Sequence, residues 1–235
     1  RFTFKESHDM NYELRNEVAI VSIDDGKANV VGHSFIDELN EALNRAEQDS
    51  AGAVILRGRE GIFSAGFDLG EFKKGAEAGM SMVSKGMQLL IRLYSFPLPL
   101  VVACTGHGIA MGAFIILACD KRIGVRGKFK ITLPETAIGM ELPAVMMELT
   151  ASRISPQYIT RVVIQSEVFD PDQALEIGFL DEVVEVGALD DKAMAIAKQL
   201  AQLPGVQYAA NKLLARKKTL LAMTEEFDKT TMQRS

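Results

Sequence analysis

Cysteine and histidine are scarce in this chain, which holds two of the first and three of the second in 235 residues. Cys104 and Cys119 show no CxxC spacing and have no histidine cluster beside them. A disulfide framework or a zinc site is therefore not expected, and no metal is assigned; two buried thiols in a reducing cytoplasm fit better. Positive charge is in deficit: 26 Lys and Arg stand against 31 Asp and Glu, a net charge of −5. Nucleic-acid and anionic-membrane binders depend on clustered cations, so neither partner class is expected. The one basic cluster, Arg216, Lys217 and Lys218, reads as a solvated helix end. No Pro/Gly/Ser-rich linker or charge block divides the chain, so one compact domain with a helical tail is the simplest organisation. With 48% hydrophobic and 24% charged residues the chain has the makings of a large core and is not disordered.

One stretch carries no formal charge for more than twenty residues, from 96 to 119, long enough for a membrane span. Pro97, Pro99, Gly106, Gly108 and Gly112 interrupt it and its first half is β-prone, so no span is expected. No secretory signal is read at the start; residues 1–9, and Arg234 with Ser235, read as additions around a natural start at Met10.

That uncharged stretch organises the rest. Val101 to Cys104 read as a strand, Gly106 and Gly108 as a turn where backbone can bend or approach a ligand, and the run that follows as a buried helix. A helix N-terminus offers unpaired N–H groups and positive potential, so a developing negative charge is its natural guest. Elsewhere, residues 17–24 read as a strand and 53–56 as a buried strand. Residues 34–49 read as an amphipathic helix with a capping-box-like start at Ser34 and Asp37; Phe35, Ile36, Leu39, Ala42, Leu43 and Ala46 share its inner face. Residues 70–79, glycine-spaced and without period, suggest a mobile lid, and 81–94 a helix. Two short strands (122–125, 128–132), a helix with Val145, Met146, Leu149 and Ile154 inward, and a helix over 156–165 come next. Asp170 caps a short helix that starts at Pro171 and ends at Gly178. Three helical patterns close the chain, the last two over 206–216 and from 220 onward. The cadence is β-turn-β-helix for about 180 residues, an α/β pattern, followed by a helical tail.

FSAGFDL (63–69), GHGIAMGAF (106–114), LPETAIGM (133–140) and ALEIGFLDEVV (174–184) stand in that order. Together they resemble the crotonase, or enoyl-CoA hydratase/isomerase, superfamily over residues 10–233. The resemblance implies a spiral of ββα turns over residues 10–186 and a C-terminal helical region, 187–235, that packs in trimers, often paired into hexamers. It implies an acyl-CoA thioester as ligand, coenzyme A entering with the substrate and not as a separate cofactor. Two backbone N–H groups would hold the thioester oxygen: that of Phe67 and, by motif position, that of Met111, with Gly112 as the fallback. Fixed donors there suit the enolate formed when an α-proton leaves, each worth roughly 3 to 4 kcal/mol by analogy with other oxyanion holes. Glu135 matches the proton carrier. Family hydratases resemble one another in using a second glutamate, and at its position this chain has Phe114. A single base suffices for moving a double bond, so Δ3,Δ2-enoyl-CoA isomerisation is favoured over hydration, thioester hydrolysis or a non-catalytic CoA-binding role. Glu141 is a second candidate acid, or else a first-turn helix acid before Pro143. CoA contacts fall by resemblance on Lys27, Ala28 and Asn29 and on Ser64, Ala65, Gly66, Asp68 and Leu69, with Phe227 and Lys229 weaker. GIFSAGF misses GxSxG by one position and no histidine comes late, which disfavours a serine hydrolase. GHGIAMG fails GxGxxG, which disfavours a nicotinamide enzyme. His107 reads as a packed or backbone-bonded histidine in preference to a catalytic one.

Overall fold

The computed structural model describes residues 10–232; the expectations placed on residues 1–9, Arg234 and Ser235 lie outside the described residues. The described chain opens with an antiparallel pair, β1 (Met10–Arg15) and β2 (Val18–Ile23), and a helix, α1 (His33–Gln48). Three turns of strand, strand and helix follow. The first is β3 (Ala53–Arg57), β4 (Gly61–Ser64) and the helices α2 (Leu69–Lys73) and α3 (Ala76–Ser95). The second is β5 (Leu100–Cys104), β6 (Gly106–Ile109) and α4 (Met111–Ala118); the third is β7 (Lys121–Val125), β8 (Ile131–Thr132) and α5 (Ala144–Ala151). The chain ends through α6 (Pro171–Ile177), β9 (Glu182–Val184), α7 (Leu189–Ala201) and α8 (Gly205–Met232). First strands of successive turns pair in parallel in a six-stranded sheet ordered β1-β2-β3-β5-β7-β9, and second strands pair in a three-stranded sheet ordered β4-β6-β8. Each turn thus adds one strand to each sheet, which is the expected ββα spiral.

The central strands β3 and β5 of the large sheet are apolar on both sides because both sides are covered. Val54, Leu56, Val102 and Cys104 point into the main core with α1, α3 and α4. Their neighbours Ala53, Ile55, Val101 and Ala103 point the other way, against Leu189, Ala193 and Ala197 of α7. Period-two alternation therefore assigns each residue to one of two cores. All six expected residues on the inner face of α1 are buried, and full burial of a side chain such as Leu or Phe contributes about 1.5–3 kcal/mol. That burial carries the helix without a side-chain cap. Its N-cap is Gly32, and Ser34 lies inside the helix with its hydroxyl on Glu38, so the expected capping box at Ser34 does not form. The Asp170 capping box does form, with Gln173 as its partner and Gly178 left-handed at the far end.

Several expectations give way to tertiary packing. Residues 70–79, expected to lack period, are mostly helical, in α2 and the first turn of α3. Gly106 and Gly108 belong to β6 and are not a turn; they pair with β4 and β8, and the close approach is to the backbone of Gly61 at Gly106 and to the Ile116 side chain at Gly108. Residues 156–165 form a short 3-10 turn and a π turn in place of an α-helix. The last two helical patterns are one 28-residue helix, α8. Arg216 sits in its middle, largely buried, paired with Asp120 at 2.8 Å and stacked over Tyr94, so only Lys217 and Lys218 of the basic cluster are solvated. Cys104 and Cys119 are free and buried, and burial pushes both thiols up to about 12. No helix among the described residues is long and apolar enough to cross a membrane; the uncharged run is divided among β5, β6 and α4.

Candidate active site

All eight residues of α4 are buried, as a run apolar on every side requires. Its N-cap, Ala110, holds φ 51 and ψ −123, a region that costs an alanine about 1–3 kcal/mol and persists only where surroundings enforce it. Two hydrogen bonds enforce it: the Ala110 N–H donates to Thr132 O at 3.0 Å, and its carbonyl accepts from the Phe114 N–H at 3.1 Å. The next residue, Met111, begins the helix, where its N–H has no carbonyl four residues back to receive it.

Gly66, past the end of β4, reaches the same point from the previous turn. It adopts φ +96, and a Cβ on it would lie 2.8 Å from Ala110 Cβ and 3.4 Å from Met111 N. Only glycine meets both the conformation and the contact. The Val31 N–H donates to Gly66 O and the Asp68 N–H to Val31 O, at 2.8 and 3.1 Å. These two bonds bracket Phe67 and turn its own N–H away from Val31. Neither Phe67 N nor Met111 N donates to a backbone carbonyl among the described residues. The N–H groups of Phe67 and Met111 thus lie on adjoining turns, where Gly66 packs against Ala110 and Met111, and neither is spent on a backbone carbonyl. Gly112 packs on Ser64, where a Cβ would stand 2.5 Å from Ser64 O.

Beside them lies an apolar cleft of about 170 Å³, walled by Phe67, Leu69, Phe72, Val83, Ile138 and Met146 among others. Glu135 enters it from the turn after β8, as N-cap of a short 3-10 helix. It is 9% exposed, and its Oε2 is buried without a hydrogen-bond partner. Desolvation, with no cation in compensation, raises its pKa to about 7. Glu141 lines the same cleft, on the exposed loop ahead of α5 and not in that helix's first turn. Phe114 is fully buried in the core and lends the cleft no carboxylate.

The other sequence-selected residues divide between wall and brace. Ala65 and Leu69 line the cleft. Asp68 caps α2, accepting from the Gly70 N–H. Asn29 is buried in the left-handed region, donating to Ile23 O and Phe63 O and accepting from the Asp25 N–H. Ser64 donates to Asn29 O at 2.7 Å and accepts from Gly66 N–H. These two polar side chains are spent on holding the Asp25–Asn29 loop to β4, so Ser64 is no free nucleophile. Ala28 O accepts from the Ala65 N–H. Lys27 is exposed on that loop, and Arg59, which sequence reasoning missed, donates to its carbonyl at 2.7 Å. His107 accepts from the Lys130 N–H and meets Phe129 edge-on, a packed histidine as expected. Phe227 packs against the core and Lys229 pairs with Glu225 and Glu226; neither lines the cleft.

Comparison with known proteins points the same way. The enoyl-CoA hydratase/isomerase family profile matches residues 13–234. Human mitochondrial enoyl-CoA delta isomerase 1 is 29% identical over 215 residues, covering 90% of this chain and 71% of that protein. A probable enoyl-CoA hydratase of Bacillus subtilis is also 29% identical, over 79% of this chain and 73% of its own length. Among solved structures, a Mycobacterium tuberculosis protein described both as an enoyl-CoA isomerase and as a probable enoyl-CoA hydratase superposes with a TM-score of 0.90 at 33% identity, covering 94% of this chain and 97% of its own. The spiral and the matched sequence agree, and the chain belongs to the enoyl-CoA hydratase/isomerase family of the crotonase superfamily.

Proposed function

We propose that the protein isomerises Δ3-enoyl-CoA thioesters to Δ2, with Glu135 as the single proton carrier and the N–H groups of Phe67 and Met111 as the oxyanion hole. The observation that carries this reading is Glu135 itself, a buried carboxyl in an apolar cleft with one oxygen unpaired and a pKa near neutrality. Such a group is poised to take a proton and give it back at working pH. Its carboxylate removes a proton from C2 of the thioester, and the electron pair moves onto the thioester oxygen. The two N–H groups stabilise that charge at the N-terminus of α4. The same carboxyl returns the proton at C4, leaving the double bond between C2 and C3. No atom is gained or lost, so one carboxyl is enough.

Coenzyme A enters with the substrate, against the loop of Lys27, Ala28 and Asn29 and the segment from Ser64 to Leu69. Arg59, next to Lys27, adds a second cation suited to a phosphate. Assembly as a homotrimer or a pair of trimers belongs to the same reading; Val206, Leu214 and Leu221 of α8, 77%, 72% and 60% exposed, are apolar surface that a second copy could cover. The two buried thiols suit a reducing cytoplasm.

Hydration is the second reading, because Glu141 shares the cleft and could act as the other acid. Turnover of 3-enoyl-CoA and hydration of crotonyl-CoA, measured side by side on wild type and Glu135→Gln, separate the two. The expected result is faster isomerisation than hydration, lost in the variant. Full isomerase activity in Glu135→Gln would remove this base, and hydration outpacing isomerisation would favour the Glu141 reading. Thioester hydrolysis would release free CoA, and binding without turnover would leave a CoA-binding module.

A further inference from the structure

Helix α3 passes the cleft with two glycines seven residues apart, about two turns, which places them on one face. Glycine is among the poorest helix formers, and both positions are occupied by rings from other segments. A Cβ on Gly79 would lie 2.6 Å from Cδ1 and 3.1 Å from Cε1 of Phe72, and 3.5 Å from its Cα. A Cβ on Gly86 would lie 2.6 Å from Cζ of Phe67. The two rings meet edge to face with centroids 6.4 Å apart, and both line the cleft. One wall of the cleft is therefore a pair of rings recessed into two notches in α3.

The Phe72 notch is the adjustable one. Phe67 is fixed at its backbone by the Val31 bridge, whereas α2, which carries Phe72, buries none of its residues. Gly75, at φ +129, joins α2 to α3. Beyond the rings the cleft opens at a rim where Leu69, Ile138 and Met140, 64%, 57% and 39% exposed, stand beside the exposed Glu141. Exposed apolar side chains continuous with an apolar cleft are suited to a flexible hydrocarbon longer than the cavity itself.

We propose that Gly79 sets the acyl-chain length this protein accepts: by taking the Phe72 ring into α3 it keeps the cleft open to its apolar rim, so that long chains run out over Leu69, Ile138 and Met140. The inference rests on the acyl-CoA reading above but not on which reaction follows binding.

Equilibrium binding of saturated butyryl-, octanoyl- and dodecanoyl-CoA tests it without turnover, on wild type, Gly79→Ala, Phe72→Ala and the double variant. Each fully buried methylene tightens binding by up to about four-fold, so wild type is expected to favour dodecanoyl- over butyryl-CoA by about ten-fold or more. Gly79→Ala displaces the ring into the cleft and is expected to weaken dodecanoyl-CoA by about ten-fold while butyryl-CoA changes less than about two-fold. Adding Phe72→Ala removes the displaced ring and is expected to restore the long-chain affinity. Equal loss at all chain lengths, or no recovery in the double variant, overturns the proposal. Should Gly79→Ala fold poorly, Phe72→Trp overfills the same notch and is expected to give the same chain-selective loss; an unchanged profile overturns the proposal. Absence of binding at every chain length in wild type overturns this inference together with the acyl-CoA reading. Chain-selective binding without isomerisation overturns only the reaction.

Discussion

Gly66 lies against Ala110 so closely that a Cβ on the glycine would stand 2.8 Å from the alanine's own Cβ. This contact joins the first turn of the spiral to the second beside the two N–H groups of the proposed oxyanion hole, those of Phe67 and Met111. Gly66→Ala is expected to lower kcat/KM by about 100-fold or more, the usual cost of losing one oxyanion donor. Steady-state kinetics with a thermal melt check this; activity within about five-fold of wild type would show that the spacing is not needed.

In the proposed isomerisation Glu135 must be ionised to accept the first proton. With its pKa raised to about 7, kcat/KM for isomerisation is expected to rise with pH through an apparent pKa near 7 and to level above it. A profile flat from pH 5 to 8 would assign the proton transfer to another group.

The same carboxyl leaves a signature in stability. Because the native state holds this proton more tightly than the unfolded chain, with about 7 against 4.5, its contribution is most favourable below pH 4.5. Stability is lost as pH rises through this interval and stays lower above 7, by at most about 3 kcal/mol. Glu135→Gln, which carries no charge to bury, is expected to melt higher than wild type at pH 8 and to match it near pH 4. Equal melting temperatures at pH 8 would mean that the carboxylate is solvated.

At the other end of α4, Asp120 anchors α8. Its carboxylate accepts from the Leu100 N–H and the Tyr208 hydroxyl, and it pairs with Lys212 and Arg216. Asp120→Ala leaves two cations buried without their anion and is expected to cost about 3–5 kcal/mol in urea unfolding. Lys212→Met, which keeps the Arg216 pair, is expected to cost less. Reversal of that order would place the anchor elsewhere.

Much of this was legible where one local rule governs. Period and apolar content located the inner face of α1, the strands β2, β3 and β5 and the all-apolar α4, and local chemistry located the Asp170 cap. Legibility failed where distant packing outweighed local preference. The glycines at 70–79 suggest irregular chain, yet Gly79 serves a helix because the ring of Phe72 fills the space a Cβ would take. Residues 106–109 read as a turn, yet neighbours on both sides make them a strand. The break near residue 217 vanishes in α8 because Arg216 turns inward to Asp120. In the site, the motifs indicated Phe67, Met111 and Glu135 together, but the bracing roles of Asn29 and Ser64 and the nearness of Arg59 to Lys27 depend on contacts more than thirty residues apart in sequence.

The sequence by itself determined the family and the reaction class worth testing, since four motifs in order carry the resemblance and Phe114 stands where a second acid would be. It also determined that residues 111–118 are buried, because a helix apolar on every side has no stable place on a surface. Only the tertiary structure decided that Gly66 packs against Ala110, that the proton affinity of Glu135 rises toward neutrality, and that two rings are recessed into α3. Each of these depends on close approach or loss of water between segments remote in the chain, and neither quantity is written in the local pattern of residues.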